Sequence, residues 1–111
     1  MSGKDDNIPI EQGSDNVFAD LGRSDADAHL LKAELVSQID QIIRERRLTQ
    51  ARAAVLLGIS QPDVSRLLRG NFREYSVERL LRLLTGLGCD VAIVIRKPRI
   101  RRQGRLRIEA A

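Results

Sequence analysis

Side chains able to hydrogen-bond to nucleic-acid bases occur together in the stretch SQPDVSRLLRGNFR. A glutamine amide, as on Gln61, can make two hydrogen bonds to adenine, and an arginine guanidinium, as on Arg66, can make two to guanine. In a helix, Pro62, Ser65 and Arg69 lie on the same side as these two residues. The pattern therefore predicts a helix that reads bases in the major groove of double-stranded DNA.

Other residues near this helix are suited to contacting the phosphate backbone of DNA. Such contacts position a protein on DNA but do not read its sequence. Thr49 and Gln50 begin the preceding helix, and a helix N-terminus favours anions. Arg69, Asn71 and Arg73 lie in or beside the loop after the base-reading helix, where they could grip the other side of the groove. Ser60 and Ser65 are small enough to permit close approach to either groove wall.

Two short helices must hold these side chains in place. Thr49 is a good N-cap for the first helix, and Gly58, after Leu57, is suited to the left-handed conformation that ends many helices. Ser60 caps the second helix, which Gly70 ends. This is the arrangement of a helix-turn-helix, in which a short link forces the two helices to cross steeply.

Such a crossing requires small residues on the first helix. Ala51 and Ala54 lie three residues apart, and we expect them to pack against Val64 and Leu68 of the second helix. This packing would turn the polar face of the second helix outward.

Longer amphipathic helices flank the pair. One is predicted from about Asp25 to Arg46 and another from Ser76 to about Leu87, because apolar residues recur every three or four positions. Their apolar stripes are Leu31, Leu35, Ile39, Ile42 and Ile43 in the first and Val77, Leu80, Leu81, Leu84 and Leu87 in the second. The predicted fold class is an all-α bundle of four to five helices with one C-terminal β-strand.

The predicted strand is the β-branched run that contains Val91, Ile93 and Ile95. A strand needs a partner for its backbone groups. One candidate is the tail segment GRLRIEA, folded back as a hairpin. The other, which we favour, is the same strand of a second subunit, paired antiparallel across a two-fold axis with the apolar face of both strands packed on the helices. The strand then predicts a homodimer.

Charge divides the 111 residues unevenly. Residues 1–27 carry two basic and seven acidic residues, whereas residues 96–111 carry seven basic residues and one acidic residue. We expect a flexible acidic arm over 1–16, a DNA-binding domain with its dimerisation strand over 17–96, and a basic tail over 97–111. One cysteine and one histidine argue against a metal site. No catalytic constellation, cofactor site or membrane-spanning run is evident, so a cytoplasmic non-enzyme is predicted.

The stretch TQARAAVLLGISQPDVSRLLRG resembles the helix-turn-helix of the Xre/Cro family of repressors. In that family the residue matched by Gln50 contacts phosphate, and the residues matched by Gln61, Pro62 and Arg66 read bases. Together with NVFADLG and FREYSVERLLRLLTGLGCDVAIVIR, the stretch resembles HigA-type antitoxins. This resemblance implies a protein that represses its own operon and neutralises a RelE/HigB-like toxin. Because one recognition helix covers only a few base pairs, we expect two copies of the chain to bind an inverted repeat as a homodimer.

Several alternatives remain at this point. Val17, Phe18 and Leu21 could contact the toxin or fold back onto the first long helix. The chain could be a plain Xre-type regulator without a toxin. It could also be a protein-binding module whose helix-turn-helix has lost DNA binding, or an RNA-binding protein that acts through its basic tail.

Overall fold

The computed structural model describes residues 25–98, 101 and 103–111. This part of the chain forms four α-helices: α1 (Asp25–Glu45), α2 (Gln50–Leu57), α3 (Gln61–Leu68) and α4 (Val77–Gly86). The helical class is confirmed, and each helix lies within two residues of its predicted bounds. The acidic arm and the apolar residues Val17, Phe18 and Leu21 lie outside the described residues.

Local capping sets where three of the helices begin. Thr49, Ser60 and Ser76 have extended backbones, and each side-chain oxygen accepts a hydrogen bond from the N–H three residues further on. These bonds satisfy N–H groups that have no partner within the helix. Gly58 ends α2 with a φ of +71°, in the left-handed region that a residue with a Cβ rarely adopts.

An aliphatic core holds the four helices together. Both predicted stripes are buried, except that Ile42 and Leu81 are half-buried, and Leu83 joins the core from α4. The core also includes Phe72, from the loop between α3 and α4. Packing of α1 against α4 and of α2 against α3 leaves the polar faces of all four helices outside.

The contact between α2 and α3 differs from the prediction. Ala53 and Ala54 are buried, whereas Ala51 is exposed. On α3, Val64 and Leu67 are fully buried and Leu68 is half-buried. The physical reason is the 3.6-residue period, which places Ala53 and Ala54 with Leu57 on the face that meets α3 and turns Ala51 toward solvent.

The predicted strand is absent from residues 89–98 of the single chain. None of the described residues is in a strand, and Val91, Ile93 and Ile95 are exposed instead of being packed against the helices. A strand forms only where backbone groups have a partner in a ladder, and within the described part of this single chain the segment has none. Its pairing with a second subunit stays a prediction.

The C-terminal tail returns to the helices without forming a ladder. The backbone N–H of Ile108 donates to Glu34 Oε1 on α1 at 3.3 Å, and Ile108 is half-buried against the core. Both terminal nitrogens of Arg96 donate to the Glu109 carboxylate at 3.0 Å. The tail thus lies near the segment over residues 89–98, as in the hairpin alternative, but the contact between them is made by the side chains of Arg96 and Glu109.

Within the described residues, no helix is both long and apolar enough to cross a membrane.

Candidate nucleic-acid interface

The packing of α3 determines which of its side chains are available to a ligand. Val64 and Leu67 have no exposed surface, so they anchor one side of this eight-residue helix in the core. Gln61, Pro62 and Arg66 are exposed on the opposite side. The predicted outward face is therefore present as an accessible surface.

The other residues of α3 that were predicted to contact DNA differ in how exposed they are. Arg69 is exposed at the C-terminal end of the helix, whereas Ser65 is half-buried. Ser60 is exposed, but its hydroxyl oxygen accepts the N–H of Asp63 at 3.2 Å and so acts as the helix cap. Capping alone explains why serine is favoured at position 60.

Arg66, the candidate for guanine recognition, has a partner on its own helix. Its Nη2 lies 2.6 Å from Asp63 Oδ1, and both side chains are partly exposed. Hydrogen bonds from Arg66 and from the Ser60 hydroxyl hold the pKa of the Asp63 carboxyl below its usual value. In this conformation the guanidinium lies along α3, and contact with a base would require Arg66 to turn away from Asp63 or to use its remaining N–H groups.

Two of the predicted phosphate contacts lie at the N-terminus of α2. Thr49 and Gln50 are exposed there. The Thr49 hydroxyl oxygen accepts the N–H of Arg52 at 3.0 Å, which leaves the hydroxyl proton able to donate to an anion. Backbone dipoles add partial positive charge at this end of α2. These features suit a phosphate contact.

The loop after α3 carries the last two predicted contacts. Asn71 and Arg73 are exposed, while Phe72 between them is buried. The Asn71 N–H donates to the carbonyl oxygen of Arg66 at 3.0 Å, which ties the start of the loop to the end of α3. The loop therefore continues the polar surface of α3.

Sequence reasoning missed Lys32 of α1 as a support of this loop. Its ammonium group donates to the carbonyl oxygen of Arg73 at 3.1 Å. Lys32 carries a charge, yet it is buried like Leu31 and Val36 of the same helix. The signal was its position within the apolar stripe, between Leu31 and Leu35.

Other arginines near the surface of α4 have local partners. Arg82 pairs with Glu78 at 2.8 Å, and the Arg79 guanidinium lies 4.6 Å from the centre of the Tyr75 ring. Both arginines are exposed and interact with residues close to them in sequence, so we assign neither of them a DNA contact.

Comparison with known proteins identifies the same segment. A family model described as a helix-turn-helix domain matches residues 17–96. A solved chain described as an XRE-family transcriptional regulator is 45% identical, with a TM-score of 0.75, and the match covers 79% of this chain and 100% of that one. No curated protein matches the chain.

Proposed function

Because this chain belongs to the XRE family of helix-turn-helix transcriptional regulators, we propose that it is a sequence-specific repressor that reads operator DNA through α3. The observation that carries the proposal is the division of α3 into two sides. Fully buried Val64 and Leu67 fix the helix to the core, and exposed Gln61 and Arg66 face outward. A helix presented in this way can enter a major groove.

Each exposed side chain then has a role set by its chemistry. Gln61, in the first turn of α3, pairs with an adenine, and Arg66 pairs with a guanine after release from Asp63. Pro62 and Ser65 lie against the groove between them. Phosphate contacts come from the two ends of the interface: Thr49, Gln50, Ser60, Arg69, Asn71 and Arg73.

A dimer would explain how such a small interface selects an operator. One recognition helix covers only a few base pairs, whereas two copies on a two-fold axis read half-sites about 34 Å apart in an inverted repeat. The exposed apolar side chains of Val91, Ile93 and Ile95 support a dimer contact through the arm over 89–98. Antiparallel pairing of two such arms would satisfy their backbone groups.

We further propose that the repressor is the antitoxin of a toxin-antitoxin pair. Its support is the resemblance of residues 16–96 to HigA-type antitoxins. The helix-turn-helix family model also begins at Val17, so the apolar residues Val17, Phe18 and Leu21 belong to the matched segment. These residues would contact a RelE/HigB-like toxin. A regulator of the same family without a toxin is the alternative.

An electrophoretic shift on the protein's own promoter tests the DNA-reading role. We expect Gln61→Ala and Arg66→Ala each to weaken binding to the promoter about five- to 150-fold, from the ~1–3 kcal/mol of each base contact, with little change on unrelated DNA. Arg82→Ala is the matched control, since Arg82 is exposed on α4 and paired with Glu78. Equal shifts for all of these proteins would contradict base reading by α3.

Co-expression tests the toxin partner. We expect the product of the adjacent reading frame to copurify with the full chain and to be released when Val17, Phe18 and Leu21 are all changed to serine. The serine variant should still shift promoter DNA, because these residues lie outside α2 and α3. An adjacent product that neither inhibits growth nor copurifies with the chain would favour the regulator without a toxin.

A further inference from the structure

Lys32 is unusual among the described residues because it is the one buried charged side chain. Only 8% of its surface is exposed, and it lies in the apolar stripe of α1. Burying an ammonium group costs several kcal/mol unless hydrogen bonds compensate it, and an apolar side chain of similar volume is often no less stable. A lysine at this position therefore needs an explanation other than core packing.

The Lys32 ammonium group is directed at the backbone of the loop between α3 and α4. It donates to the carbonyl oxygen of Arg73 at 3.1 Å, across 41 positions of sequence. That carbonyl is thereby turned toward α1, while the Arg73 side chain is exposed on the surface. The bond fixes the backbone from which the Arg73 guanidinium extends.

A second contact from α1 holds the neighbouring residue. The His29 ring, one turn before Lys32, stacks on the Phe72 ring with centroids 4.9 Å apart and planes inclined by 25°. Phe72 is itself buried in the core, and its carbonyl oxygen accepts the Tyr75 N–H at 3.0 Å. Consecutive residues of the loop are thus held by α1, although α1 lies outside the helix-turn-helix.

From these contacts we infer that Lys32 is a positioning residue for DNA binding, which holds the Arg73 backbone so that the Arg73 side chain meets a phosphate. The inference rests on the proposed function and assigns part of the affinity to a helix that contacts no base. Pre-ordering of the loop lowers the conformational entropy lost when the contact forms. Lys32 acts through Arg73 and does not itself touch DNA.

The substitution Lys32→Met tests this role, since methionine keeps the unbranched apolar stem and removes the donor. We expect promoter affinity to fall about three- to tenfold and the slope of log affinity against log salt to decrease by about one phosphate contact. Arg44→Met is the matched control, because it removes the same charge from an exposed position of the same helix. It should leave both quantities close to those of the unaltered protein.

A double-mutant cycle separates positioning from a general loss of stability. If Lys32 acts through Arg73, Lys32→Met should have no further effect on affinity once Arg73→Ala is present. Additive losses in the double variant would overturn the inference. Unchanged salt dependence in Lys32→Met would mean that Arg73 meets its phosphate without the bond from Lys32. This result would also overturn the inference.

Amide hydrogen exchange gives a readout that does not depend on DNA. In Lys32→Met we expect faster exchange at Asn71–Tyr75 than in the unaltered protein, with α2 and α4 unchanged. Unchanged exchange in the loop would overturn the bracing role even if DNA binds. If loop exchange is faster in Lys32→Met but the unaltered protein never shifts its promoter, Lys32 orders the loop and the proposed function is contradicted.

Discussion

At the scale of single residues, the exposure of a side chain follows from which side of its helix meets the core. Gln61 and Arg66 are exposed as expected, because Val64 and Leu67 occupy the other side of the same helix. The ion pair between Arg66 and Asp63 was not foreseen, since an arginine three residues after an aspartate can turn to it or to a ligand. The buried position of Lys32 was missed because charge was taken as a sign of exposure.

The Asp63 carboxyl predicts a pH dependence of stability. Its pKa is lowered in the folded protein, mainly by Arg66. Such a group stabilises the fold above its unfolded pKa of about 3.9, and this contribution is lost as pH falls through the folded pKa. We therefore expect the urea midpoints of the unaltered protein and of Asp63→Asn to differ near neutral pH and to converge as the pH falls through the lowered pKa of Asp63. Parallel curves over that pH range would contradict this prediction.

At the scale of helices, local rules were sufficient for the ends of elements. The capping contacts of Thr49, Gly58, Ser60 and Ser76 all lie within four residues of sequence. The contact between α2 and α3 depends on how two helices are rotated, and a spacing of three did not distinguish Ala51 from Ala53. The close approach of α4 to α2 was not predicted at all.

Gly86 marks one such close approach, between α4 and α2. A Cβ added to Gly86 would lie 2.9 Å from the backbone carbonyl oxygen of Leu56. Helix propensity alone predicts that Gly86→Ala stabilises α4 by up to about 1 kcal/mol. We expect the opposite sign, because α2 and α4 must separate, with a loss of about 1–3 kcal/mol in urea unfolding.

Gly104→Ala is the control for the substitution at Gly86. A Cβ at Gly104 would meet no atom within 4 Å, so its effect should stay within about 0.5 kcal/mol. If Gly86→Ala were as stable as the unaltered protein, the close packing of α4 on Leu56 would be wrong.

At the scale of the whole molecule, the sequence was least informative. The β-branched run over 91–95 predicted a strand, yet strand formation depends on a partner that local sequence does not encode. The same residues are exposed in the single chain. The docking of Ile108 near Glu34 joins positions 74 residues apart, and no periodicity predicts such a contact.

The position of the tail should depend on Glu109. Its carboxyl is bound by Arg96 and also lies 2.9 Å from Arg107, and these partners lower its pKa. The contact should therefore persist near neutral pH and be lost as pH falls through the lowered pKa. In Glu109→Gln we expect the amide NMR signal of Ile108 to move toward its unfolded position at neutral pH. An unmoved signal would show that the contacts of Ile108 with α1 hold the tail in place without Glu109.

The proposed dimer gives the most direct test of the arm over 89–98. Ile93 is 78% exposed in the single chain, so Ile93→Asp should leave the stability of the monomer within about 0.5 kcal/mol. Between paired arms the same change would bury two carboxylates close together, which opposes association. We therefore expect sedimentation to find monomers of Ile93→Asp and dimers of Val55→Asp, a matched control at another exposed apolar residue, on α2. Operator affinity of Ile93→Asp should fall with the dimer, because a monomer reads a single half-site. Dimers of Ile93→Asp with normal operator affinity would place the two-fold contact elsewhere on the molecule.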